Sequence, residues 1–171
     1  KLQRGLFVEI RIYTMPEIVR GLLDRGLADW SQIALTTDDR SASTTLRDGG
    51  MDHNLRTAIA AGLPPETAIQ CVTINPARHM RLTPYVGSIA PGRYADIVLM
   101  SDVAGVKIEK VWADGQPASE GMHYTGPVPT IAWPDWATHT INIQRRLSAD
   151  DFRIAAAPRR ETMQAAVIRP F

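Results

Sequence analysis

Apolar and polar positions in the first third of the chain follow two different periods. Leu6-Phe7-Val8-Glu9-Ile10-Arg11-Ile12 is β-branched and aromatic-rich and predicts a strand. Pro16 suits the first turn of a helix, with Thr14 as a candidate cap. Ile18, Val19, Leu22, Leu23 and Leu27 then recur at helical spacing and predict one apolar helix face over residues 16–27. Ile33 to Thr37 reads as a second short strand. Strand, helix and strand within about 30 residues fit a βαβ unit of a parallel sheet.

Asp38-Asp39 leads into a polar, glycine-containing segment. Met51, Leu55, Ile59 and Leu63 then recur every fourth residue and predict a helix over 52–62, with Gly62 at its C-terminus. Pro64-Pro65-Glu66 opens another helix, reaching Val72, and Asn75-Pro76 a third, reaching Leu82. The character then changes. Gly87, Pro91 and Gly92 punctuate a turn-rich stretch, and strands follow at Ala95–Met100 and Val106–Ala113, the latter closed by the turn Asp114-Gly115. Residues 117–137, with Pro117, Pro127, Pro129 and Pro134, read as a long connection. From Thr138, "THTINIQRRLSADDFRIAA" predicts a strand that opens a further module. The fold class is therefore α/β plus β.

Composition narrows the function more by exclusion than by indication. The 171 residues are 44% hydrophobic and 22% charged, as in ordinary globular proteins. A net charge of +1 with no Lys/Arg run gives no electrostatic case for a nucleic-acid or anionic-membrane partner. No apolar stretch approaches the roughly 20 residues that span a bilayer. The single cysteine, Cys71, excludes an intrachain disulfide and fits a reducing cytoplasm, the expected location. His53, His79, His123 and His139 have no metal-site spacing, and each reads as a surface or helix-end residue. CxxC, GxGxxG, Walker and GxSxG motifs are all missing, and the four tryptophans read as packing.

Two adjacent acids at the end of an apolar strand remain. Asp38 and Asp39 have an everyday reading as turn chemistry, because Asp accepts hydrogen bonds from nearby backbone N–H groups. They also have a chemical reading. At the C-terminal ends of parallel barrel strands, side chains point into an active site, where a carboxylate can bind a divalent metal and accept a proton. Local pattern favours the turn.

Gly87-x-Ile89-x-x-Gly92-x-x-Ala95-Asp96-Ile97-Val98 resembles the segment by which amidohydrolase-superfamily enzymes pass from a TIM barrel into a small β-sandwich. "CVTINPARHMRL" is similar to the helix just before it. "TTDD" followed by "GGMDHNLRTAIAAGLPPETAI" resembles the adenine deaminase family of that superfamily, in which Thr/Ser-Asp-Asp ends the eighth strand. "RGLFVEIR" is similar to that family's seventh strand, and "LSADDFRI" to the opening of its C-terminal domain. One departure is Ile12-Tyr13-Thr14, where the family tends to place a Gly-Ser turn.

The resemblance implies residues 1–82 as the C-terminal part of a metal-dependent (β/α)8 barrel and 83–117 as a β-sandwich segment. It implies 118–137 as a connection and 138–171 as the start of the C-terminal domain. The chain is then expected to be a C-terminal portion of a longer enzyme, inactive alone, that hydrolyses adenine to hypoxanthine and ammonia in purine salvage. The resemblance also implies an assembly of identical chains and a manganese, iron or zinc ion, held mostly by residues upstream of Lys1. Asp38 would bind that metal and carry a proton. Asp39 would contact substrate or orient Asp38. Arg40 would neutralise the pair or contact a lid, against a simpler role as a solvated turn residue. Asp96 is expected to be structural. Another amidohydrolase, dihydroorotase-like or guanine-deaminase-like, or a non-catalytic fragment would share many of these features.

Overall fold

Strand β1 (Val8–Arg11) and strand β2 (Ile33–Thr36) pair in parallel, with Val8 opposite Ile33 and Arg11 opposite Thr36. The structure, a computed structural model, describes residues 1–154 apart from Met122 and His139, and divides the chain into units Lys1–Val128 and Pro129–Phe171. Ile33, Ala34 and Leu35 are all buried, as a strand covered on both faces requires. β1 is shorter than predicted. Leu6 stays exposed outside it, and Ile12–Thr14 forms a 3-10 turn that runs directly into helix α1 (Met15–Leu23).

Helix α1 makes the expected crossover and buries Met15 and Val19. Thr14 gives no side-chain cap, and Pro16 in the first turn starts the helix instead. The helix stops at Leu23, four residues before the predicted end, because the chain turns back with Leu27 N–H donating to Leu22 C=O at 3.1 Å. Helix α2 (Ala42–Asp48) was not predicted. It has no buried residue, and its one large apolar side chain, Leu46, is 87% exposed, so it leaves no apolar period to read. Its signal is Ser41, whose Oγ accepts from Thr44 N–H at 3.2 Å as an N-cap.

Helices α3 (Met51–Ala60), α4 (Pro65–Val72) and α5 (Ile74–His79) follow close to prediction, although α5 ends before Leu82. At the end of α3, Gly62 has φ 104°, while its N–H bonds Ile59 C=O at 2.9 Å and Leu63 N–H bonds Ala58 C=O at 3.1 Å. That left-handed closure needs glycine. Leu55 and Ala58 of α3 and Ala68 and Cys71 of α4 join Ile10, Val19, Ile33 and Leu35 in one core.

Asn75 fastens α5 to the sheet. Val8 N–H donates to Gln32 C=O, so alternate carbonyls of β2, Ile33's among them, point away from β1. Asn75, 2% exposed, donates through Nδ2 to Ile33 C=O at 3.0 Å and to Trp30 C=O at 2.9 Å. A side-chain amide thus satisfies backbone that no strand covers here. Burial pushes the Cys71 thiol, one turn away, up to about 11, with a weak Asn75 contact opposing that shift.

Strands β3 (Ile97–Asp102), β4 (Lys107–Ala113), β5 (Gln116–Glu120) and β6 (His123–Tyr124) form an antiparallel meander. The Asp114-Gly115 turn has φ 48° and 74°, the geometry of a tight hairpin. Asp96 Oδ1 accepts from Asp114 N–H at 2.8 Å and Ala95 C=O accepts from Gly115 N–H at 3.0 Å, so Asp96 is structural, as expected. Strands β5 and β6 lie in the stretch read as a connection. Pro117 is accommodated because it faces Trp112 just where the β4–β5 register shifts. This sheet is one layer.

In the second unit, Asp135–Thr138 forms a single helical turn, α6, and Ala149–Phe152 a 3-10 turn. Thr138 therefore closes a helix where a strand was predicted to begin. No strand forms over residues 140–154 either, and the part of that prediction past Ile154 lies outside the described residues. Arg145 Nη2 at 2.6 Å, with Ser148 N–H at 2.7 Å, draws the Asp151 carboxyl down to about 2.

Asn75→Ala leaves the buried Ile33 carbonyl without its donor, while Trp30 C=O keeps the Ile33 N–H, and should lower stability of the intact protein by about 1–3 kcal/mol, read from the urea midpoint. Native Cys71, fully buried and with its thiol pushed up to about 11, should react with a thiol reagent at pH 8 far more slowly than an unfolded control. The sign follows from the raised folded value. The neutral thiol's contribution to stability is present below about pH 9 and lost as pH rises through about 11.

Candidate active site

Parallel pairing sends the ends of β1 and β2 out on the same edge, and that edge carries the charged residues. Arg11, the last residue of β1, donates from Nη1 to Asp38 Oδ2 at 2.9 Å. Both side chains are about half exposed, at 52% and 41%. The hydrogen bond to Asp38, then the charges of Asp38 and Asp39, raise the Arg11 guanidinium above its ordinary value. Solvent screens this pair, so its value is orientation rather than stability.

Asp38 has φ 52°, a left-handed conformation that Asp tolerates better than most residues. Its N–H reaches Thr36 Oγ1 at 3.4 Å, and its C=O accepts from Arg40 N–H at 2.9 Å. The Asp38 backbone does turn here, but neither carboxylate of the pair accepts from a backbone N–H among the described residues, as the turn reading would have it. The Asp38 carboxylate does something else, lying between two strand ends with one oxygen on Arg11. Asp39 is exposed and has no hydrogen bond or ion pair among the described residues.

Arg40 overturns its expected role as a solvated turn residue. Its side chain is 6% exposed, and Nη2 donates to Thr44 C=O at 3.1 Å and to Asp48 Oδ2 at 3.2 Å. It neutralises neither Asp38 nor Asp39; its carboxylate partner is Asp48.

The Gly-x-x-Asp-x-x-x-Arg segment is a helix start. Gly49 has φ 103°, and a Cβ there would sit 2.5 Å from Asp52 Oδ2. Asp52 Oδ1 accepts from Gly50 N–H at 2.7 Å, while Arg56 Nη2 donates to Asp52 Oδ2 at 2.7 Å and Asp48 C=O at 3.1 Å. Burial alone would raise the Asp52 carboxyl, but the Arg56 and Gly50 hydrogen bonds outweigh it and hold it low. Sequence reading assigned these residues no role. The signal was the i, i+4 spacing of opposite charges at the helix start.

Among the described residues, the histidines His53, His79 and His123 form no common site. His79 stacks on Phe7 at 3.9 Å between ring centres, while His53 lies in α3 and His123 in β6. Among the described residues no group of three His, Cys, Asp or Glu could hold a metal ion. Carboxylate oxygen suits a divalent cation, so the Asp38 carboxylate has the chemistry of one metal ligand, while the described residues around it supply no complete set. Two open clefts of about 190 and 240 Å³ share Ser31, Asn75 and Arg78, residues before β2 and on α5. Neither is lined by Asp38 or Asp39.

The pattern of the amidohydrolase family matches residues 14–118. Across all 171 residues the chain is 69% identical to adenine deaminase 1 of Bradyrhizobium sp. (strain ORS 278). It is 67% identical to adenine deaminase 2 of Bradyrhizobium diazoefficiens and 61% identical to adenine deaminase 2 of Jannaschia sp. (strain CCS1). It covers 27% of the length of each of these relatives. With the family pattern running from the start of α1 through β4 and into β5, the chain belongs to the amidohydrolase family.

Proposed function

We propose that this segment supplies the proton-handling edge of an enzyme that hydrolyses adenine to hypoxanthine and ammonia. The observation that carries it is Asp38, held at the shared exit of two parallel strands by Arg11 in a chain so similar to proteins named adenine deaminase. On this reading β1 and β2 are the last strands of a (β/α)8 barrel, with the acid pair at its C-terminal mouth. Residues 1–82 then belong to the barrel, 83–117 begin a sandwich that β5 and β6 extend, and 138–171 open a further domain.

In the hydrolysis a C6–O bond forms from water, the C6–N6 bond breaks, and a proton must reach the departing nitrogen. Asp38 is placed for that proton. Arg11 engages Oδ2 and leaves Oδ1 without a hydrogen-bond partner among the described residues. Oδ1 takes the proton released by water and returns it to the amine, a transfer worth about 10²- to 10⁴-fold. A divalent metal bound in part by Asp38 would supply Lewis acidity and lower the pKa of water from about 16 to near 7. Asp39, exposed beside it, is the group offered to a purine N–H.

Asp38→Asn in the full-length enzyme should cut kcat on adenine by about 10²- to 10⁴-fold while leaving the circular-dichroism spectrum unchanged. Near-normal turnover would refute the assignment. Ammonia release from adenine should exceed that from guanine or from dihydroorotate; the reverse ranking would favour another amidohydrolase activity on the same scaffold.

A further inference from the structure

We infer that Arg40 is a positioning residue that fixes the Asp38–Asp39 turn for catalysis by clamping it to α2, an inference that rests on the role of Asp38 proposed above. Three observations converge. Asp38 adopts a left-handed backbone, which even Asp holds at some cost and which its hydrogen bonds here support. The Arg40 N–H holds the Asp38 carbonyl at 2.9 Å. The Arg40 side chain, 6% exposed, then ties that same residue to Thr44 C=O and Asp48 Oδ2 on the next helix.

The anchor is itself anchored. Asp48 also accepts from Arg47 Nε at 2.8 Å and Nη2 at 3.0 Å, and its backbone carbonyl accepts from Arg56 of α3 at 3.1 Å. Because α2 buries no residue, apolar packing cannot fix its position. The polar chain Arg40–Asp48–Arg56–Asp52 connects the acidic turn to α3, and α3 is held by buried Leu55 and Ala58. The two arginines divide the work: Arg11 orients the Asp38 carboxylate, and Arg40 orients its backbone.

The cost of burying this guanidinium argues for a constraint beyond solubility. Arg40 Nη1 is buried with no partner among the described residues. A buried charged fork with an unmet donor is unfavourable where an exposed turn residue would serve as well. An asparagine or serine could close the turn locally. Only a long planar donor spans from residue 40 to both Thr44 and Asp48.

The test uses the full-length, metal-loaded enzyme as wild type, Arg40→Met and Asp38→Asn. Each is measured for kcat, KM, rate of metal loss to a chelator, and urea midpoint. Misplacing a catalytic group by about 1 Å costs up to 10²-fold, so Arg40→Met should lower kcat by about 10- to 100-fold with KM within about threefold. Metal loss should quicken severalfold, while the urea midpoint shows a folded protein. If Asp38→Asn is inactive while Arg40→Met keeps kcat and metal retention within about twofold of wild type, the positioning role is overturned and the role of Asp38 stands. An Asp38→Asn enzyme with normal turnover instead removes the proposal on which this one rests. A kcat loss that only tracks the unfolded fraction, with metal loss unchanged, also overturns it. If Arg40→Met does not fold, Arg40→Gln, with a shorter stem and one amide donor, is read by the same measurements and the same limits.

Discussion

Parallel pairing of β1 with β2 is the constraint on which the rest of the structure depends. Parallel neighbours cannot be joined by a hairpin, so the chain must cross over, and α1 is that crossover. The same pairing makes both strands exit on one edge and brings Arg11 to Asp38 across 27 positions of sequence. An antiparallel arrangement would place these two charges at opposite ends. Burial of Ile33, Ala34 and Leu35 fixes the register, since a slip by one residue would turn Ile33 and Leu35 to the other face.

The elements legible in the sequence were those with an apolar face to bury. α1, α3 and α4 each pack against the core, and their period of about 3.6 residues follows directly from that packing. α2 buries nothing, so its only trace was a serine that caps it. β5 was hidden by Pro117, which a bulged register admits. The short helical turn at Thr138 stands in a stretch with no buried residue among those described, where local pattern has little packing to report.

Side-chain roles were less legible than elements, because they depend on which distant groups meet. Asp38 was singled out from its strand-end position, and the structure adds the Arg11 contact. Arg40 was misjudged. A charged residue in a polar loop is usually solvated, yet Asp48, eight positions later, captures it. Asp52 and Arg56, which lie in the segment that carries the family resemblance and had no role assigned, hold the start of α3 and the backbone of Asp48. The contacts around the acid pair are therefore mostly support, and the proposed chemistry rests on the pair itself.

The sharpest test of this account is where a divalent metal sits in the full-length protein. Crystals loaded with manganese and measured at the manganese absorption edge would locate the ion by its anomalous signal. An ion about 2.0–2.2 Å from an Asp38 carboxylate oxygen is the predicted result. A fully occupied metal centre with the Asp38 carboxylate more than about 4 Å away, and Arg11 still its only partner, would contradict it.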